Sequence, residues 1–267
     1  MPEPETEQPP TLEQFAQWSS EDTCGLLNED AKRWYTINQN SLYVEASERS
    51  LFADFSEILE DVASRYRQEH KAELFAFGRK PKLFWHRKTY PSFLEKLFRL
   101  NQLENENFPE PPAGGWVGLH NCFATVDDLV RTTFVVAYAD GPPFLIEHLR
   151  REAQSRGLSS RVRDHAKEKG YYANHLYIEL PVSFAASVGG AITEQRAQVE
   201  IQVTTELQGA LREITHKLYE KERVTGLGAD WKHDFESERF RAAYMSHSLR
   251  FIEAMIVDLR RRVEEQE

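Results

Sequence analysis

The order of helical and strand patterns along the chain limits its fold more than any other feature of the sequence. Apolar residues at helical spacing alternate with strand-like runs in the order helix, strand, helix, strand, helix, strand, strand, helix. The segments are residues 47–70, 82–88, 90–103, 127–139, 142–157, 175–184 and 197–221, the last a strand running directly into a helix. This order is typical of an α/β (α+β) domain in which helices flank a mixed β-sheet.

The sequence predicts three parts. Residues 1–44 form a tail and a short helical segment, 45–225 form the main domain, and 226–267 form a long amphipathic helix. The tail, up to about Thr11, is rich in Pro and Glu and cannot bury enough surface to offset the entropy of ordering. The last helix could pack on the domain or pair with another subunit, because it carries an apolar stripe. The stripe consists of Phe240, Tyr244, Ile252, Met255, Ile256, Leu259 and Val263.

Composition excludes several classes of function. A net charge of -10 argues against a general nucleic-acid coat, so a polyanion would need a local basic patch. Cys24 and Cys122 lack the spacing of a disulfide framework or a zinc site. The amino terminus has no basic and apolar signal segment, and no apolar run approaches membrane-spanning length. We therefore expect a cytoplasmic protein with no membrane partner.

Carboxylates at strand positions are the best candidates for chemistry, since the P-loop, the dinucleotide glycine fingerprint, HExxH and GxSxG are all absent. Asp127 and Asp128 precede one strand, and Glu200 lies inside another, facing either solvent or a site. The cations that accompany them are Arg87, Lys88, Arg161, Arg163, Lys167 and Lys169. Two acids with a basic rim suit a magnesium-bound polyphosphate.

Four stretches, in order, resemble the RelA/SpoT nucleotide pyrophosphokinase (alarmone synthetase) domain. They are "HRKTYPSFLEKLFR", "VDDLVRTTFVV", "RVRDHAKEKGYYANHLYIEL" and "AQVEIQVTTELQGALREITHKLYEK". The resemblance covers roughly residues 51–221 and implies a nucleotidyltransferase-like fold. It also implies a reaction, in which the 3′-hydroxyl of an acceptor nucleotide attacks the β-phosphorus of ATP and AMP leaves.

The resemblance also implies roles for particular residues. Asp128 and Glu200 are the implied catalytic residues and ligands of Mg²⁺, with Glu200 assisting the metal or activating the hydroxyl. Lys88 matches a phosphate-binding lysine, Tyr171 a tyrosine that stacks on the acceptor guanine, and His175 a histidine near the acceptor phosphates. The full predicted nucleotide- and phosphate-binding set is Arg87, Lys88, Arg163, Lys167, Lys169, Tyr171, His175 and Gln202. Tyr171 and Tyr172 could instead be strand aromatics, His175 a core histidine, and the lysines a solvated face.

The chain lacks the arginine of the family pattern at four positions. His86, Thr133, Tyr172 and Thr204 stand where the family usually has arginine. Three functions therefore stay open. The first is a single-domain alarmone synthetase that acts on ATP and a guanine or adenine nucleotide. Such an enzyme could serve as a toxin that an antitoxin protein restrains. The second uses the 3′ end of tRNA as acceptor, and the third is a non-catalytic module that binds nucleotides or a partner.

Overall fold

Three α-helices precede the first strand in the described part of the chain, and a short π-helix (Glu45–Arg49) follows the second of them. The computed structural model describes residues 11–49, 54–75, 81, 83–167, 170–225 and 234–266, with side chains except those of 49, 165–167, 171 and 216–225. The helices are α1 (Leu12–Trp18), α2 (Glu29–Val44) and α3 (Phe55–His70). Thr11 and Gln14 form a capping box at α1, and the Asn28 side chain accepts two backbone N–H groups at the start of α2. The predicted tail, residues 1–10, lies outside the described residues.

The remaining elements follow the predicted alternation, with two additions, a short helix at residues 122–125 and a strand at residues 160–167. The middle of the chain forms β1 (His86–Arg87), α4 (Tyr90–Phe98), α5 (Cys122–Thr125), β2 (Val130–Val136) and α6 (Gly141–Ser155). The last part forms β3 (Ser160–Lys167), β4 (Tyr171–Ala185), β5 (Ile192–Thr205), α7 (Glu206–Thr225) and α8 (Glu238–Glu264). The α+β class with a mixed sheet and flanking helices is confirmed.

Strand β3 was not among the predicted elements. In its segment arginines alternate with small or polar residues, and no apolar face is visible. In the structure β3 lies at an edge of the sheet, and its residues Val162 and Arg163 are both exposed. An edge strand of this kind has little apolar surface to bury, and charged side chains protect it against further pairing. Hydrophobic periodicity therefore could not reveal it.

The sheet has five strands in the order β1-β2-β5-β4-β3. Strand β2 pairs with β5 in parallel, with Arg131 opposite Glu200 and Val136 opposite Thr205. Strand β3 pairs with β4 in antiparallel fashion, with Lys167 opposite Tyr171. The parallel pair contains the buried centre of the sheet, because Val199, Glu200 and Ile201 are all buried.

The contacts divide the chain into two compact units, which are described separately. Unit 1 comprises residues 1–46, 86–130 and 180–199. Its helix α4 packs on α1 and α2. Its core includes stacked aromatic pairs, among them Tyr35 on Phe93 with ring centroids 4.4 Å apart and Phe123 on Phe184 at 4.5 Å. The predicted boundaries near residues 44 and 225 stay a prediction.

Unit 2 comprises residues 47–85, 131–179 and 200–267. Its helix α6 packs on α3 and on β3, and α7 packs on α8. Phe55 of α3 meets Phe134 of β2 with ring centroids 5.4 Å apart. The described helices include none that is both long and apolar enough to cross a membrane.

Helix α8 packs through a face other than its apolar stripe. The buried residues of α8 are Ala242, Ala243, Ser246, Glu253 and Val257. The stripe residues Tyr244, Met255 and Leu259 are all more than half exposed. Small side chains allow α8 to approach the rest of unit 2 closely, so this contact uses residues that a hydrophobic stripe does not reveal.

Candidate active site

In unit 1, Lys88 and Asp128 form a partly buried ion pair. Lys88 Nζ lies 2.8 Å from Asp128 Oδ2, and the two side chains are 17% and 21% exposed. Lys88 directly follows β1, and Asp128 lies two residues before β2. The predicted phosphate-binding lysine and metal-binding aspartate are therefore in direct contact. Such a charge-assisted bond is shorter and stronger than a neutral one.

Helix α2 fixes the backbone of Lys88. The Lys88 carbonyl accepts hydrogen bonds from Tyr35 Oη at 2.8 Å and Gln39 Nε2 at 2.5 Å. The Lys88 N–H donates to the Leu129 carbonyl at 2.9 Å, and Gln39 also donates to that carbonyl at 3.1 Å. Thr89 then caps α4 with its side chain. Lys88 and the residue after Asp128 are thus tied to the same buried glutamine.

A second lysine accompanies this pair. Lys96, in the last turn of α4, places Nζ 4.0 Å from Asp128 Oδ1. Burial lowers the pKa of the Lys96 ammonium, whereas the charge of Asp128 acts in the opposite direction. The sequence analysis missed Lys96, although its spacing in "SFLEKLFR" places it on the helix that follows Lys88.

In unit 2, Glu200 is a buried carboxylate held by two side chains of β4. It is 3% exposed, which excludes the solvent-facing alternative. Its Oε1 atom is in contact with His175 Nδ1 and accepts a hydrogen bond from Tyr177 Oη at 3.3 Å. Tyr177 Oη also lies 3.2 Å from His175 Nδ1. The other carboxylate oxygen, Oε2, is buried and has no hydrogen-bond partner in the part of the chain that the structure describes.

Tyr177 is a site residue that the sequence analysis did not single out. The guanidinium of Arg161 lies 4.0 Å from the centroid of its ring, a cation–π contact. The signal was present, because Tyr177 lies two residues after His175 and therefore on the same face of β4. What the sequence could not supply is the pairing of that face with Glu200.

Gln202 lies on the same strand as Glu200 and is also buried. Its Oε1 atom accepts a hydrogen bond from Arg212 Nη1 at 2.9 Å, and Thr133 Oγ1 lies 3.5 Å from the same atom. Thr133 is one of the positions where the family pattern has arginine. Arg212, from the first turns of α7, brings a cation to Gln202 and was also missed by the sequence analysis.

The other predicted nucleotide-binding residues are placed as follows. The Arg87 guanidinium lies 4.9 Å from the centroid of the Tyr43 ring and donates to Asn40 Oδ1 at 3.2 Å. Arg163 is exposed on β3, opposite His175. Lys167 and Tyr171 are opposite one another in the β3–β4 pair, but only their backbones are described. Lys169 lies outside the described residues.

The donor set can be tested for its fit to magnesium. No group of three or more metal-binding side chains occurs in the described parts of the chain. Magnesium is commonly held by one or two carboxylates together with substrate phosphates and water, so a large protein cage is not required. Glu200 fits this chemistry because its buried Oε2 atom has no hydrogen-bond partner among the described residues and could accept a metal.

No protein-family model and no curated protein sequence matches this chain. Solved structures do. Small alarmone synthetase 1 from Bacillus subtilis aligns with 85% of this chain and 99% of its own at 19% identity and a TM-score of 0.54. Its structure bound to its product pppGpp covers 85% and 98% at the same identity and TM-score. A GTP pyrophosphokinase family protein from Streptococcus pneumoniae covers 84% and 94% at 16% identity and a TM-score of 0.53.

These similarities establish the fold. The chain has the fold of the small alarmone synthetases, which confirms at the level of the fold the RelA/SpoT resemblance seen in the sequence. The alignments cover nearly the whole of those proteins, so the fold is that of a single synthetase domain.

Proposed function

We propose that this chain is a nucleotide pyrophosphokinase that transfers the β,γ-pyrophosphate of ATP to the 3′-hydroxyl of a guanine or adenine nucleotide. Glu200 carries the proposal, because a buried carboxylate with one oxygen held and the other without a hydrogen-bond partner among the described residues is costly unless a ligand uses it. The fold supports it, and the Bacillus protein with this fold has pppGpp as its product.

Each residue of the site has a role in the proposed reaction. Glu200 Oε2 accepts the proton of the 3′-hydroxyl as the hydroxyl oxygen bonds to the β-phosphorus. The bond from the β-phosphorus to the oxygen bridging it to the α-phosphorus then breaks, and AMP leaves with that oxygen. His175 and Tyr177 hold Oε1, so that the carboxylate keeps one orientation during the proton transfer.

The basic residues act on the charge of the phosphates. The Lys88 ammonium binds a phosphate oxygen, and Lys96 remains beside Asp128 when Lys88 turns to the substrate. Asp128 remains a predicted ligand of magnesium, which when bound would offset the negative charge of the triphosphate. Glu200 also remains a predicted ligand, but as the alternative to its role as base, because Oε2 cannot take the metal and the proton at once. Arg212 holds Gln202 on the strand that carries Glu200. Arg87, Arg163, Lys167, Lys169 and Tyr171 keep their predicted nucleotide-binding roles as part of the proposal.

Transfer of label tests this function. ATP labelled on the γ-phosphate is incubated with the protein and magnesium in the presence of GDP, GTP, ADP or bulk tRNA, and the products are separated by chromatography. The proposal expects label on one of the nucleotides, together with AMP. Release of labelled phosphate without transfer to any acceptor would contradict it.

A tRNA acceptor is the second candidate, supported by the exposed Arg163 on edge strand β3. Label on tRNA alone would favour it, and Arg163→Glu would then abolish that transfer. Arg163 is a better choice than Arg161, whose guanidinium covers the Tyr177 ring and whose loss would disturb Glu200 as well. An antitoxin protein and pairing of two copies through α8 remain predictions.

A further inference from the structure

Helix α8 packs directly on the backbone at the start of β4. Gly170, the residue before β4, has φ 78°, in the left-handed region that favours glycine. A Cβ atom at Gly170 would lie 2.8 Å from Ser246 Cβ and 2.9 Å from Ala243 Cα, both on α8. The close approach therefore requires glycine at 170 and small residues on α8.

Buried polar groups fasten this contact. The Ser246 hydroxyl, which is 3% exposed, donates to the Gly170 carbonyl and also lies 2.9 Å from Gln208 Oε1. Gln208 Nε2 lies 3.5 Å from Glu253 Oε2, and Thr205 Oγ1 donates to the same carboxylate. One network thus joins the start of β4, helix α8, the first turn of α7 and the end of β5.

Tyr172, on the other side of Tyr171, also contacts α8. Its hydroxyl lies 2.6 Å from His247 Nδ1, and the two rings meet edge to face with centroids 5.6 Å apart. The Arg250 guanidinium lies 5.8 Å from the centroid of the Tyr172 ring. Tyr172 stands where the family pattern has arginine. At this position the chain therefore has a tyrosine that contacts α8 instead of a cation.

We propose that α8 holds Tyr171 in place, and that Ser246 and His247 are positioning residues for the acceptor nucleotide. The flanking residues Gly170 and Tyr172 are each bound to consecutive residues of α8, which leaves the Tyr171 backbone little freedom. This inference rests on the proposed function in one respect only, the stacking of Tyr171 on the acceptor base. Its physical part, the restraint of residues 170–172 by α8, does not depend on catalysis.

Two variants and a matched control test the restraint. Ser246→Ala removes the donor to Gly170, and Tyr172→Phe removes the hydroxyl that meets His247 but keeps the ring. Ser248→Ala makes the same chemical change two residues away on α8 and leaves the Ser246–Gly170 and His247–Tyr172 contacts in place. The first readout is amide hydrogen exchange of residues 171–173. We expect exchange to be about three- to tenfold faster in the first two variants, the range given by one lost hydrogen bond, and unchanged in the control.

The second readout is kinetic. With the acceptor that the wild-type protein uses, the KM for that acceptor is expected to rise by about three- to tenfold, while the KM for ATP stays within twofold. Unchanged hydrogen exchange in both variants would overturn the restraint itself. Faster exchange with an unchanged acceptor KM would overturn the positioning role. If the wild-type protein transfers no label, the proposed function fails, but the exchange result still decides whether α8 restrains residues 170–172.

Discussion

The ion pair between Arg260 and Asp140 is predicted to stabilise the packing of α8 on the rest of unit 2. Arg260 Nη2 lies 2.5 Å from Asp140 Oδ2, and the two side chains are 12% and 13% exposed. Tyr66 Oη donates to Asp140 Oδ1 at 2.7 Å and lies 2.9 Å from Arg260 Nη1. Burial by itself would raise the pKa of Asp140, but the hydrogen bonds from Tyr66 and Arg260 and the charge of Arg260 leave it below its ordinary value.

Arg260→Met should therefore destabilise the protein substantially. Removing one member of a buried pair leaves an uncompensated charge and costs about 3–5 kcal/mol. We expect about 3 kcal/mol, the lower end of that range. The reason is that Arg261 and His70 remain 3.7 and 3.8 Å from the Asp140 carboxylate. Methionine retains most of the apolar stem of arginine. The loss of stability therefore measures mainly the effect of removing the charged guanidinium.

The matched control lies two residues further along α8. Arg262 pairs with Asp258 at 2.7 Å, but these side chains are 70% and 61% exposed. Arg262→Met should cost less than about 1 kcal/mol because exposed pairs are screened by water. Urea unfolding followed by circular dichroism measures both variants. Equal losses of stability would refute the reasoning, since burial is the main difference between the two pairs.

Two further predictions concern buried polar groups. Gln39→Leu should lower the free energy of unfolding by about 2 kcal/mol, because the carbonyls of Lys88 and Leu129 lose a buried donor; an unchanged urea midpoint would contradict this. Burial raises the pKa of Glu253 despite hydrogen bonds from Thr205 and Gln208, so the folded state binds this proton more tightly than the unfolded one. The stability of the wild-type protein relative to Glu253→Gln should therefore fall as the pH rises from about 4.5, the unfolded pKa, through the folded pKa. Parallel stability–pH curves for the two proteins would rule out the shift.

Regular apolar periodicity allowed most of the fold to be predicted. The helices and the central strands follow from local patterns, since a helix face or a buried strand shows its period in the sequence. Strand β3 could not be predicted because an edge strand with exposed arginines has no such apolar period. The packed face of α8 could not be predicted because it includes Ala242, Ala243 and Ser246, small residues that do not form a recognisable hydrophobic stripe.

The candidate site could be predicted only in part, for a different reason. Glu200 could be named because it is a carboxylate inside an apolar strand, and His175 because the family resemblance implies a histidine there. Their mutual contact and the contribution of Tyr177 depend on how β4 meets β5, which local sequence does not encode. Lys96 and Arg212 lie on the helices that follow Lys88 and Gln202, and their roles emerge only when those helices fold back beside the strands.

The most direct test of the proposed function compares the wild-type protein with Glu200→Gln under identical conditions. The quantities measured are AMP formed and γ-labelled pyrophosphate transferred to the acceptor nucleotide. The account predicts equal amounts of AMP and labelled product from the wild-type protein, and a rate lower by about two to four orders of magnitude from Glu200→Gln, the usual contribution of a general base. The variant should retain the wild-type circular dichroism spectrum. Undiminished transfer by Glu200→Gln would contradict the assignment of this carboxylate, and with it the central claim.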